Sequence, residues 1–562
     1  MRQLRSIRQK ELLESISQLI LFAGFAAIML FELKSWWDPY YLSLSKEALQ
    51  LVLAAVFLFF ISNLIYCCVN LRSRLLLMYI HAGIFLFWLT RPLFSGLLPW
   101  GKWWLGSYET TFFALGSICL TLVSLRFGTN IAEKILRSPR RLALKSSLRL
   151  DHEQNAELVH DPSLNKEHEA HQGGIQASSI RASSMQVSSI QGFNYKLKGI
   201  LKKAASGDSQ RLDCIRLSAF ILLMLALTAE LLKGYIVLKN MAGLDYIDYY
   251  TIDWSSKTPW IIGTLSSMLP YLFAAYLACI PKRRMTVFVL VFYLITTIPM
   301  LKIGSRSWFV LLFIFAAFYY VARALIAKEC GLDEKWISKK LVICTLLLLP
   351  IGIAAMGAMN YLRAGEHVRL DFLTLLADAF YKQGVSFDVF GHAYEVSDKI
   401  AALGFKFFSL GGVIDDIRQG FIGQLILQLP SLPDYNSAQL ALEGHSYAHT
   451  MSYFAHPNYL NGEGYGSSYV LELFADFSYP GIIVGSVLIG LFLCLCSNRI
   501  GISWFGGMVA LVVAQNVMHM PRGYVNELFF FFLENRFWLA ILGIYIGALL
   551  LEHVGYKVRN ND

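Results

Sequence analysis

Residues 260–284 read WIIGTLSSMLPYLFAAYLACIPKRR, an uncharged run, Trp260–Ile280, closed by Lys282-Arg283-Arg284. About 20 consecutive apolar residues make a helix as long as the hydrocarbon core of a bilayer is thick. A basic cluster directly after such a run is the mark of a cytoplasmic flank. The pattern recurs at Leu51–Val69, Met285–Met300 and Leu341–Met359, which are also uncharged. Composition agrees: of 562 residues 56% are hydrophobic and 16% charged, with a mean hydropathy of +0.50. A soluble domain carries roughly 25% charged residues, so an ordinary soluble protein is excluded and an all-α integral membrane protein is expected.

Windows of about 19 residues predict twelve transmembrane helices: 16–33, 49–69, 75–95, 108–125, 213–233, 259–280, 285–302, 307–326, 341–360, 480–497, 502–519 and 526–551. With both termini cytoplasmic, the inside pieces are 1–15, 70–74, 126–212, 281–284, 327–340, 498–501 and 552–562, and they hold most of the 49 lysines and arginines. Arg72 with Arg74, and Lys282-Arg283-Arg284, fall inside in short loops, as the positive-inside rule requires. The formal charge of +10 therefore reads as topology and not as affinity for nucleic acid. Arg2, Arg5, Arg8 and Lys10 precede an apolar run without a small-residue cleavage site, so the first helix is read as retained. The nine cysteines lie in apolar runs or near the cytoplasmic side and form no CxxC pattern, so neither a disulfide framework nor a thiolate metal site is implied.

The chain thus divides into helices 1–4 (1–125), a polar cytoplasmic linker (126–212), helices 5–9 (213–360), a large extracytoplasmic loop (361–479), and helices 10–12 with a cytoplasmic tail (480–562). The linker repeats Ser-Ser-Ile/Met every five residues from Ser178 to Gln191. It is too polar to bury a core and is read as disordered, with an amphipathic surface helix near Phe193–Leu201 as the alternative. The loop is too long to be a mere connection. It carries thirteen acidic against six basic residues, and His367, His392, His445, His449 and His456. Its apolar spacing, Phe372, Leu375, Leu376, Phe380 and then Ile422, Leu425, Ile426, Leu429, suits short amphipathic helices at the membrane surface.

Charge at membrane depth costs about 2.5–3.5 kcal/mol at a span's centre, so charged residues at span ends are candidates for chemistry. Arg306 sits at an outer turn, Arg363 leaves the ninth span, Arg418 follows Asp415-Asp416, and Arg522 lies in Pro521-Arg522-Gly523 before the last span. All four face the same side, and a guanidinium fork matches phosphate oxygens, which points to a lipid-linked diphosphate; any one of them alone is also explained by snorkelling to the interface. Arg536, beside Glu534, reads as a helix-pairing residue. The second constellation is His456-Pro457-Asn458, then Gly464-Tyr465-Gly466-Ser467-Ser468, then Glu472-Leu473-Phe474-Ala475-Asp476. A glycine-rich turn at a helix N-terminus can face an anion with its backbone N–H groups, though this is neither a Rossmann nor a P-loop pattern. Glu472 and Asp476 share a helical face. Glu472, Asp476, His445, His449 and His456 are the candidate general bases, and Asp415-Asp416 is adjacent rather than spaced as a metal pair.

At Gly304-Ser305-Arg306, Gly464–Ser468 leading into Glu472–Phe477 and Pro480-Gly481, and Arg522-Gly523, the chain resembles bacterial O-antigen polysaccharide polymerases of the Wzy type, within the wider group of polyprenyl-linked glycan polymerases and ligases. The resemblance covers roughly 285–550. It implies a multi-pass glycosyltransferase of the bacterial cytoplasmic membrane, of the metal-independent C type and inverting, with no cofactor. Such an enzyme joins undecaprenyl-diphosphate-linked oligosaccharides into O-antigen, capsular polysaccharide or exopolysaccharide at the outer face. It further implies diphosphate binding by Arg306, Arg363 and Arg522, with Arg418 weaker, and, by likeness to the related ligases, a catalytic histidine in the large loop; Glu472, His456 and His445 are the catalytic residues expected here. His456 is followed by proline, unlike the ligase pattern. A chain-length regulator is a partner left open. A ligase is the nearest alternative, then a flippase, which should show internal repeats and short loops, and then a C-type mannosyltransferase, for which the first outer loop offers only Asp38.

Overall fold

A computed structural model of the chain describes residues 2–37, 46–159, 210–244, 249, 254–303, 305–363, 370–420, 422–433 and 435–554. Among them every regular element is a helix. The long helices are α1 (Arg2–Trp37), α2 (Lys46–Val69), α3 (Leu75–Leu97), α4 (Tyr108–Val159), α5 (Gln210–Asn240), α6 (Trp260–Ala278), α7 (Arg283–Ile303), α8 (Ser307–Cys330) and α9 (Lys339–Arg363). The loop holds α10 (Phe372–Gln383), α11 (Ser386–Glu395), α12 (Ser397–Ala401), α13 (Gly411–Gln419), α14 (Ala438–Glu443) and α15 (Tyr447–Ala455). The chain then returns through α16 (Tyr469–Ser497), α17 (Trp504–Val517) and α18 (Asn535–His553).

Eleven of the described helices are long and apolar enough to cross a membrane. The expected eleventh span, 502–519, is only the 14 residues of α17, which at 1.5 Å per residue reaches about 21 Å. Its end coincides with Pro521, and residues 520–532 form three 3₁₀ turns. The last span therefore begins at Asn535 and not at 526. The fourth helix runs on as α4 to Val159, past the residue where the polar linker was expected to start. Residues 160–209 of that linker, including the repeat at 178–191 and Phe193–Leu201, lie outside the described residues.

Glycine decides how closely α4 and α16 pack. α4 and α16 approach so tightly that a Cβ on Gly490 would stand 2.1 Å from the Leu125 carbonyl oxygen, and one on Gly128 would stand 1.9 Å from that of Val487. Thr129 beside them donates to the Gly490 carbonyl at 3.2 Å. Small residues that let backbones meet are how helices pack where lipid offers no hydrophobic contrast. The end of the bundle that carries Arg72 and Arg74 is closed by polar groups: Arg74 lies fork-to-fork with Glu133, both nitrogen–oxygen distances being 2.8 Å, and Arg72 reaches Glu329, Ser497 and Ile500.

At the opposite end the loop helices settle on the bundle. Asp371 caps α10 through the N–H groups of Leu373 and Thr374. α11 buries Phe387 and Phe390 completely, the latter meeting Trp88 of α3 edge-on. The expected amphipathic helix at Ile422–Leu429 is a single turn, Ile422–Ile426, with Leu425, Ile426 and Leu427 exposed.

Candidate functional site

α16 is broken. Phe477 and Ser478 leave helical geometry, Ser478 at φ +55°, and Pro480 follows. The short segment before the break, Tyr469–Asp476, carries Glu472 and stands apart from the spanning segment after it. Glu472 is 1% exposed. One carboxylate oxygen accepts from the Ser467 hydroxyl at 3.1 Å and the other from the Val525 backbone N–H at 2.9 Å. A buried carboxylate must find donors or lose several kcal/mol of solvation; here those donors come from the glycine-rich turn before α16 and from the 3₁₀ turns before α18.

That second turn is held from behind. The indole of Trp88, itself fully buried, donates to the Pro521 carbonyl at 2.7 Å, so α3 fixes Arg522. Arg522 also lies against the first turn: a Cβ on Gly466 would come within 3.8 Å of Arg522 Cγ and 3.6 Å of its carbonyl oxygen. The conformational freedom of the glycine-rich stretch resides at Gly462, φ +93°, and not at Gly464 or Gly466. Ser468 begins α16 with a buried hydroxyl that has no hydrogen-bond partner.

The loop joins the same cluster. Gly411 admits the His445 carbonyl, 1.9 Å from where a Cβ would stand, and Gly412 admits the Asn526 amide at 1.8 Å. His445 is paired with Asp415: Nδ1 lies 2.9 Å from Oδ1, and the His445 backbone N–H donates to Oδ2 at 2.9 Å. One carboxylate thus fixes both the backbone and the ring of this histidine. Its neighbour Ser446 faces Tyr524, whose phenol burial pushes up to about 12, with Glu472 and Glu527 adding to the rise. Glu527 lies 3.4 Å from His519 Nδ1.

Of the residues singled out in the sequence, Glu472, Ser467, Ser468, Gly466, Arg522 and His445 are brought together. Asp476 instead accepts the N–H groups of Phe408 and Ser409 at 2.7 and 2.8 Å, capping the turn that leads into α13. Arg418 is engaged with the Pro430 carbonyl and Glu443, both at 2.9 Å. Arg306 begins α8 and donates to the Met356 carbonyl of α9, a different pair of elements from those that carry Glu472. Gly304 and the side chain of Arg363 lie outside the described residues, as does His367.

His456 sits beside the cluster. Its Nδ1 accepts from the Asn458 N–H at 3.2 Å, and its ring meets Tyr465 edge-on at 4.8 Å. His449 lies 3.1 Å from the Tyr459 hydroxyl. Burial pushes it below the usual imidazole range, and Asp415 pulls back against that.

Asp415, Tyr524, Asn526 and Glu527 were not identified as site residues from the sequence. A signal existed for three of them: residues 519–527 are a polar run between two apolar helices. Asp415 had none, because its partner is thirty positions away.

A family model, O-antigen polysaccharide polymerase Wzy, matches residues 184–553. No curated protein and no solved structure matches the chain.

Proposed function

The chain belongs to the O-antigen polysaccharide polymerase family, and on that premise we propose that it joins undecaprenyl-diphosphate-linked repeat units at the outer face of the cytoplasmic membrane. The observation that carries the reading is the convergence on one centre of the Asp415–His445 pair, buried Glu472 and the Arg522 turn. All lie at the end of the bundle that the charge pattern places outside.

In this reading His445 is the general base. Asp415 holds Nδ1 and so fixes tautomer and ring orientation, leaving Nε2 to accept the proton of an acceptor hydroxyl. The acceptor oxygen bonds to the anomeric carbon of the donor as the bond from that carbon to the diphosphate oxygen breaks. The diphosphate leaves with the electron pair, on the lipid, and the proton passes from His445 to solvent. Arg522 neutralises the charge that grows on the leaving group; Arg306 and Arg363, on α8 and α9, are assigned to the same diphosphate by the family resemblance alone. A single displacement inverts the anomeric configuration. The leaving diphosphate stores the energy, so neither a nucleotide sugar nor a metal is required by this route. Glu472 is a positioning residue: it holds the Arg522 turn against the glycine-rich turn.

The test is a gel of surface polysaccharide from a strain lacking this gene, with and without the wild-type copy. Collapse of the ladder to a single-repeat band, reversed by the copy, is the expected result. Loss of every band with accumulated lipid-linked polymer would mean a ligase, and lipid-linked single units retained on the inner leaflet would mean a flippase.

A further inference from the structure

Tyr465 immediately precedes the turn that meets Arg522, and it is held rigidly. The Ser452 hydroxyl accepts from the Tyr465 N–H at 2.8 Å and donates to the Tyr465 carbonyl at 3.1 Å, and Ser452 is 1% exposed. His392 of α11 stacks on the phenol ring at 4.2 Å and 16°, while His456 meets it edge-on. Each histidine has a carboxylate beyond direct hydrogen-bond length: His392 Nδ1 lies 3.8 Å from Glu395, and His456 Nε2 lies 3.7 Å from Glu463 Oε2, which also accepts from the Asn458 side-chain amide at 3.3 Å. Direct hydrogen bonds of this kind span about 2.7–3.2 Å. Because His456 Nδ1 accepts a backbone N–H, Nε2 of the neutral ring carries the proton and faces Glu463 as a donor.

Two donor–acceptor gaps flanking an aromatic wall suit hydroxyl groups that bridge them, as ordered waters bridge polar groups at wet sites. The Glu395 and Glu463 side chains are 59% and 53% exposed, and a third carboxylate near Tyr465, Asp388, is paired with Arg91 at 2.6 Å. A ligand entering here meets a negative field on an acidic loop, so an added carboxylate would be repelled and an ammonium attracted.

We propose that His392, Tyr465 and His456, with Glu395 and Glu463, form a saccharide subsite for the repeat unit that accepts uncharged or amine-bearing sugars and rejects uronic acids. The proposal rests on the polymerase reading. It assigns sugar selection to the polar groups around Tyr465 and diphosphate binding to the arginines, so the two functions are separable by substitution.

The experiment uses the full-length chain in nanodiscs with lipid-linked repeat units extracted from the deletion strain, and measures initial polymerisation rate against repeat-unit concentration. Wild-type activity comes first: if the intact chain forms no polymer from these units, the polymerase reading itself fails. With activity established, H392A, Y465F and the E395Q/E463Q double variant should each raise KM about tenfold, the scale of one or two lost hydrogen bonds, while kcat stays within about twofold. Methyl glycosides of glucosamine and N-acetylglucosamine should inhibit the wild type, and the methyl glycoside of glucuronic acid should not; in E395Q/E463Q the glucuronide should inhibit as well as the others. Unchanged KM in all three variants, or equal inhibition of the wild type by the glucuronide, overturns the proposal.

Discussion

The Val525 backbone N–H donates to the Glu472 carboxylate across 2.9 Å, joining positions 53 residues apart in the chain. This bond ties the turn that carries Arg522 to the turn that opens α16. Glu472→Ala leaves the half-buried Val525 N–H and the buried Ser467 hydroxyl without an acceptor, at a cost of at most about 1–3 kcal/mol for each. Glu472→Gln keeps one acceptor oxygen and most of the shape. Polymer should be lost in the alanine variant and partly kept in the glutamine variant, with the melting temperature of the purified protein following the same order. Equal activity in wild type and alanine variant would remove Glu472 from the centre.

His445 and Asp415 should behave as a unit. His445→Ala should lower polymerisation by roughly 10²–10⁴, the usual contribution of a positioned general base, without loss of protein in the membrane. Asp415→Asn should lower it less and alter the pH dependence of the rate, because the tautomer is then no longer fixed. A pH–rate profile of Asp415→Asn superimposable on that of wild type would argue against the pairing.

The arginines can be ranked by the same assay. Arg522→Lys should restore little of what Arg522→Ala loses, since a point charge does not replace a bidentate fork. Arg306→Ala should also abolish polymer at unchanged protein level. Arg418→Ala should instead act through stability, because its guanidinium braces Pro430 and Glu443. Loss of polymer from Arg418→Ala with an unchanged melting temperature would reverse that ranking.

Gly490→Val inserts a branched side chain where even a Cβ would lie 2.1 Å from the Leu125 carbonyl oxygen. Overpacking of this kind costs about 1–3 kcal/mol, sometimes more. A lower melting temperature and a lower yield of folded protein are expected, whereas Gly116→Ala, which meets open space, should be neutral. The two thermal scans side by side decide it.

Burial holds both His449 and His392 below the ordinary imidazole range. Their folded-state values are therefore depressed relative to the unfolded chain. The stability they contribute is complete above about pH 6.5 and is lost as pH falls through the folded values. The melting temperature should fall between about pH 7.5 and about pH 5.5, more steeply for wild type than for His449→Gln. An identical slope in the variant would show that His449 is not among the groups responsible.

The spanning helices were legible because each encodes its own answer. The Trp260–Ile280 run needs only its length, its lack of charge and the basic triplet after it, and α6 follows it almost residue for residue. The exception shows the limit of the method: hydropathy read 502–519 and 526–551 as two full spans, but Pro521 and the bonds that turn 520–528 makes to α3 and α16 shorten both. Within the loop, Glu472 and Asp476 looked equivalent by spacing. One is buried between two turns and the other caps the Phe408–Leu410 turn that leads into α13, a difference set by Phe408, Ser409 and Val525, which lie far from both in sequence.

The sequence by itself determined the all-α membrane class and most of the helix positions, and it pointed to the 361–479 loop and to Arg522 as the places that hold the polar groups of interest, because hydrophobic length and charge are local properties. Only the tertiary structure decided which polar groups meet. Arg522, Glu472, His445 and Asp415 are separated by tens of residues, and each is placed by backbone contacts that leave no periodic trace: a tryptophan behind Pro521, two glycines admitting His445 and Asn526, and a peptide N–H on a buried carboxylate. Burial makes those few contacts costly to break, so the packed bundle, and not any local motif, assembles the centre.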